Sequence, residues 1–218
     1  MKRFLIIVLC VGILSFAGSG ASAAVITFDD LPDIVPSGSE PVALIPDGYQ
    51  GFTWVGPWYY TDPTEWNTYW GDTTGGYDEA LVSAPHIAFN GGGSSLSLTD
   101  GVFDFLGTYM TSAWNEGLNV TVQGFLSGAE IYSQTVILSQ AVQTWVDFNF
   151  TGIDELTFES FGGTIAPGVT GSGTHFAMDN FTTGVPEPTT MLLLATGLVG
   201  LAAFRRKFRN IPAPSKIK

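Results

Sequence analysis

The chain has 218 residues, with 20 acidic against 8 basic side chains and a formal net charge of -12. All of the Lys and Arg stand at the two ends (Lys2, Arg3, Arg205, Arg206, Lys207, Arg209, Lys216 and Lys218), and every acid except Glu187 lies within 24–184. An acidic body without one Lys or Arg repels polyanions, which argues against a role on nucleic acid or on anionic lipid. The single cysteine, Cys10, sits near the N-terminus, so the body has no disulfide, no thiolate metal site and no cysteine nucleophile.

At the N-terminus, Lys2 and Arg3 precede an apolar run over 4–16, and small residues end in Ala21-Ser22-Ala23. That order of charge, apolar core and small-x-small site reads as a secretory signal peptide over 1–23, cut by signal peptidase after Ala23.

The body, 24–184, is long enough to bury a core of its own and reads as one domain. It shows no convincing helical period. Short runs alternate instead in period two between Gly, Asn, Asp and Ser, which predicts strands over 25–28, 51–55, 87–89, 95–98, 102–106, 119–126, 130–138, 144–150, 156–160 and 176–181. Within 144–150, Val146, Phe148 and Phe150 fall on one face and Trp145, Asp147 and Asn149 on the other. Residues 126–130 read as a hairpin loop between two long strands. About ten short strands without an internal repeat predict an all-β, two-sheet sandwich of jelly-roll type.

At the C-terminus, residues 189–204 carry no charge and are followed at once by Arg205, Arg206, Lys207 and Arg209. A helix of this length rises about 24 Å at ~1.5 Å per residue, short of a ~30 Å hydrocarbon core but within reach of snorkelling and bilayer thinning. The basic cluster predicts a cytoplasmic end, with a short tail over 210–218, and leaves the domain outside. The signal peptide demands the same orientation.

Just before this segment stand Val185, Pro186, Glu187 and Pro188. Pro-Glu-Pro, a short apolar stretch rich in small residues, and an Arg-rich end resemble the PEP-CTERM sorting signal over 185–209. The resemblance implies processing by an exosortase, a membrane enzyme of bacteria that make extracellular polysaccharide. Asn210 to Lys218 extend further past the basic cluster than such tails usually do.

The body resembles a recurrent ectodomain found on such tails. The likeness rests on residues 26–31, 48–54, 113–120 and 173–181, and implies fold and placement without a catalytic residue.

Two constellations are candidate sites. Asp29 and Asp30 close the first predicted strand and Asp179 lies in the last; terminal strands side by side would gather these carboxylates. Without a basic neighbour such a cluster needs a hard cation, and calcium takes oxygen ligands of this kind. The arrangement is similar to the structural calcium site of carbohydrate-binding jelly rolls; the alternative is ordinary solvated acids.

The second is aromatic. Trp58, Trp66 and Trp70, with neighbouring Tyr, are interleaved with Asp62, Glu65, Asn67, Asp72 and Asp78 in a strand-poor stretch. Flat rings stack on the apolar face of a sugar while carboxylates and amides bind its hydroxyls. The competing reading places these rings over the core with their polar tips in water.

Catalysis has thin support. His86 and His175 are the only histidines and fit no zinc-ligand spacing, and no G-x-S-x-G elbow exists. The expectation is an exported protein, held transiently in the inner membrane and then delivered to the cell surface or matrix. Its ectodomain is expected to bind extracellular polysaccharide or serve as structure. The alternative is a secreted glycan hydrolase using paired carboxylates.

Overall fold

The computed structural model describes residues 23–34, 40–70 and 75–184, with 196–198, 200 and 201 near the C-terminus. Several expectations lie outside the described residues: the signal peptide up to Ala21 and Ser22, the motif Pro186-Glu187-Pro188, the basic residues Arg205, Arg206 and Lys207, and the side chain of Trp70. Of the 189–204 segment, the five described residues are helical. No helix among the described residues is long and apolar enough to cross a membrane.

Ser22–Pro186 form one compact unit with its own core. Its strands in chain order are β1 (Ala23–Ile26), β2 (Ala43–Leu44), β3 (Thr53–Val55), β4 (Trp58–Thr61), β5 (Ile87–Asn90), β6 (Leu96–Ser112), β7 (Asn115–Glu116), β8 (Leu118–Leu126), β9 (Ala129–Leu138), β10 (Thr144–Phe161), β11 (Thr164–Ile165) and β12 (Phe176–Gly184). Ten of them join one antiparallel network in the order β2-β4-β5-β12-β6-β10-β8-β9, with β1 beside β12 and β3 beside β6; β7 and β11 pair separately.

The network becomes a sandwich because β6 and β10 serve in both layers. The C-terminal half of β6 pairs with β12 and with the first half of β10, for example Asp179↔Tyr109 and Trp145↔Tyr109. Its N-terminal end pairs with β3 and with the second half of β10, as in Trp54↔Leu98 and Leu156↔Leu98. From there β10 continues the second layer into β8 and β9. The expected pairs of strands at 95–98 and 102–106, and at 144–150 and 156–160, are therefore two continuous strands. Bulges bend β10 at Asn149 and β12 at Asn180, both with φ of 53° and both at a register shift. Asparagine tolerates this left-handed conformation better than most residues.

The predicted alternation holds in β10, where Val146, Phe148 and Phe150 are buried while Asp147 and Asn149 are exposed. The hairpin holds too: Leu126 pairs with Ala129 across Ser127 and Gly128, both at positive φ, as a two-residue turn requires.

Rings from both layers interlock in the main core. Phe158 of β10 stacks on Phe176 of β12 at 5.7 Å, and Phe105 lies 4.6 Å from Phe181 and 4.8 Å from Phe148. Trp58 sits at the junction, edge-on to Trp54 at 5.3 Å and to Phe158 at 5.4 Å, and its indole Nε1 donates to the Ser97 carbonyl at 3.0 Å. It is 1 % exposed, which corrects its assignment to a sugar platform. A large ring with its one N–H satisfied gains more from burial than from water.

The stretch read as strand-poor and without helix holds β4 and two short helices, Pro63–Trp70 and Gly76–Ala80. They cover the outer face of the first layer. There Tyr77, Ile87, Phe89, Ala113, Trp114 and Ala177 form a second core, with Trp66 and Tyr59 packed half-buried against it. The approach is close: a Cβ on Gly76 would stand 1.8 Å from the Ser112 carbonyl oxygen, and one on Gly171 2.3 Å from the Trp114 ring.

Trp58→Ala should lower the unfolding free energy of the domain by about 3–5 kcal/mol, the usual cost of emptying an aromatic core site. Denaturant titration measures it, and a loss below ~1 kcal/mol would return Trp58 to the surface.

Candidate functional site

β1 and β12 do lie side by side, with Ile26 opposite Phe181 and Ala23 opposite Gly184. Asp29 and Asp30, just past β1, and Asp179, within β12, nevertheless find separate partners. The Asp179 side chain is fully buried, and its Oδ2 accepts from the backbone N–H of Val82 at 2.8 Å and of Ser83 at 2.7 Å. Its Oδ1 accepts from the Asn180 N–H at 2.6 Å, and the Ser83 hydroxyl lies 3.2 and 3.3 Å from the two oxygens. Asp29 accepts from the His86 N–H at 3.1 Å. Asp30 takes the Tyr49 hydroxyl at 2.5 Å and the Gln50 amide at 2.9 Å.

Residues 82–86 thus dock on two carboxylates at once, bringing amide dipoles where a cation was expected. Among the described residues no three His, Cys, Asp or Glu gather as a metal-binding group. The expected cluster of Asp29, Asp30 and Asp179 is corrected in this respect: neutral donors offset the charge that calcium was invoked to neutralise. The sequence signal for this was the missing Lys and Arg, which forces buried carboxylates onto N–H and O–H donors. Burial raises the Asp179 pKa even against its hydrogen bonds.

The second core brings Trp66 within 4.9 Å of Tyr77, and the Tyr77 hydroxyl lies 2.9 Å from His175 Nδ1. Trp114 stands edge-on to Tyr77 at 5.2 Å. Burial lowers the His175 pKa, which favours the neutral ring beside the phenol. Asn67 clamps the two helices by donating to both oxygens of Asp78 at 2.8 and 2.7 Å. These rings mostly meet each other, so the stretch works chiefly as packing, with Trp66 only half-buried.

The open polar surface lies elsewhere, on the outer face of β8, β9 and the second half of β10. Registers place Thr135, Thr121 and Glu159 in one row, and Ser133, Gln123 and Thr157 in the next. Thr121 and Thr135 hydroxyls are 2.8 Å apart. The Gln123 amide donates to Glu130 at 2.6 Å while its oxygen lies 3.5 Å from the Thr157 hydroxyl. At the margin, the Phe161 ring is 47 % exposed. Hydroxyls, amides and carboxylates side by side, with one open ring, suit a ligand that has both an apolar face and many hydroxyls. Sequence reasoning missed this face because its Thr and Gln look like ordinary solvated strand positions.

Asp179→Asn turns an amide N–H toward the amides of Val82 and Ser83 and should cost about 1–3 kcal/mol of stability. A raised folded-state pKa means that the native domain binds this proton more tightly than the unfolded chain, so its contribution grows as pH falls. The gap between wild type and variant should therefore widen in acid. Adding a chelator should leave the melting temperature unchanged; a drop that calcium reverses would restore a metal to this end of the sheet.

Residues 184–207 match the PEP-CTERM protein-sorting motif. Among curated proteins, none matches the chain significantly in sequence. The fold is similar to that of a DUF4465 family protein from Bacteroides caccae, at 13% identity and a TM-score of 0.52, over 76% of this chain and 100% of the other. A DUF4465 family protein from Bacteroides ovatus follows at 9% identity and TM-score 0.44, over 77% of this chain and 90% of the other. TmCBM61, solved in complex with beta-1,4-galactotriose, is similar at 11% identity and TM-score 0.34, over 72% of this chain and 99% of the other. At these identities the first likeness shows fold alone, and the other two add no weight. An all-β sandwich thus ends, at the last residue of β12, in a PEP-CTERM protein-sorting motif, which implies exosortase processing and an exported protein.

Proposed function

We propose that this chain is an exported bacterial protein whose tail an exosortase removes and whose domain then binds extracellular polysaccharide at the surface or in the matrix. The sorting motif carries the first half of this reading: it begins at Gly184, the residue that pairs with Ala23 at the expected signal-peptide cut. Both processing sites therefore flank a domain with its core complete. The open face of β8, β9 and β10 supports the second half, through the Thr121–Thr135 pair, the Glu130-Gln123-Thr157 chain and the Phe161 ring.

Protein recovered from the cell surface should begin at Ala24 and lack Arg205 and Arg206, as read by N-terminal sequencing and mass spectrometry. Surface-delivered material that retains the basic cluster would refute exosortase processing. Retention of the domain in a native gel cast with polysaccharide from the producing cells tests the second half. Phe161→Ala and Gln123→Ala should each weaken retention several-fold with the fold intact, since both side chains stand on the outer face. A parallel reducing-sugar assay should stay flat; release of new ends would make the domain a hydrolase.

A further inference from the structure

The second layer ends in β9, a ten-residue strand whose outer edge no strand pairs among the described residues. A free edge presents unpaired N–H and C=O groups and is normally guarded by Lys, Pro, bulges or shortness. The other ends of the network follow that rule: β2 has two residues, β3 three and β1 four. The first half of β10 carries exposed Asp147 and the bulge at Asn149. β9 has none of this over residues 132–138, Tyr-Ser-Gln-Thr-Val-Ile-Leu, which contain no charge, Gly or Pro. Its one carboxylate, Glu130, lies before the register shift and is held by Gln123. Ile131 is 46 % and Ile137 74 % exposed. Such a segment has the composition of a strand that pairs with its own kind.

We infer that β9 pairs antiparallel with β9 of a second copy, making the domain a two-fold dimer with one continuous sheet across the interface. Charge selects the occupant. Elsewhere the surface is acidic with no Lys or Arg to answer it, so two copies repel, whereas this uncharged strip lets like meet like. A cationic partner would find its attraction everywhere except here. The sequence is also self-complementary. A two-fold axis at Gln134 sets Tyr132 of each copy against Val136 of the other within the regular stretch, and brings Ile137 to Ile131 where that stretch ends at the register shift. The pairing closes because the remaining edges are too short to template another strand or, in β10, carry Asp147 and the bulge at Asn149, so a dimer results and no fibre. β9 itself is anchored independently: Tyr132 stacks on Phe150 at 4.8 Å and its hydroxyl meets Thr151 at 3.0 Å.

The test uses residues 22–186, a compact unit with its core complete. Sedimentation equilibrium should show the mass doubling from that of one domain as concentration rises. Ile137→Glu, at an exposed site, should raise the dimer dissociation constant at least tenfold while leaving the melting temperature in place. The unit contains no cysteine, so Gln134→Cys tests the axis directly. Antiparallel partners bring Cα atoms within disulfide range, and this variant should cross-link in air to a covalent dimer, whereas Thr157→Cys, two strands inward, should not. A single-domain mass at every concentration overturns the inference. So does a dimer that Ile137→Glu leaves intact, or equal cross-linking from both cysteine positions.

Discussion

A domain with no Lys or Arg must hold its carboxylates with neutral donors, and much of its loop geometry follows from that shortage. Asp179 and Asp29 take the amides of residues 82–86. Asp104 of β6 accepts the Gly152 N–H at 2.7 Å beside the bulge of β10. Asp154 accepts the Ser127 N–H at 2.8 Å in the β8–β9 turn, and Glu116 accepts the Gln140 N–H at 3.0 Å in the connection out of β9. In each case an acid fixes a turn, loop or bulge that is distant in sequence. Ion pairs on a surface are worth little, and a carboxylate that accepts backbone N–H bonds is at least as firm an anchor. The acids serve as fasteners, and the segment 82–86 takes two of them.

That arrangement matters because the strands alone do not settle where the chain bends. β6 and β10 cross from one layer to the other, and the bulges at Asn149 and Asn180 flank β6 near Phe105. The register shifts let Phe150 and Phe181 both face inward, and Phe105 packs among them. The aromatic core and the fastened turns are thus two aspects of one constraint on strand register, since slipping either long strand by one residue would turn its rings outward.

Where side-chain periodicity carried the information, the sequence was readable. Val146, Phe148 and Phe150 alternate as buried strand residues do, and Ser127-Gly128 is a hairpin turn on its face. Gly101 and Gly152, by contrast, read as strand breaks but lie within continuous strands, because a bulge or bend absorbs them while the neighbours keep the ladder. The helix Pro63–Trp70 escaped notice for lack of an apolar period: it lays Trp66 on a small second core and leaves most of its surface to water. Trp58 looked like a platform residue because acids and tyrosines surround it in sequence, yet a bond from its indole to Ser97, 39 residues away, makes it core. Asp29 and Asp30 were placed correctly at the exit of the first strand and Asp179 within the last. Their partners were not, because backbone amides leave no mark in composition.

The seat of Gly184 at the end of β12 has a mechanical side. β12 is the strand from which the chain leaves the domain, and it lies inside the sheet, with β6 along one edge and β1 and β5 along the other. A pull on Gly184 along the strand axis loads two flanking rows of hydrogen bonds together, in shear, instead of opening one row bond by bond as at a free edge. A load applied there meets a strand that is held on both sides.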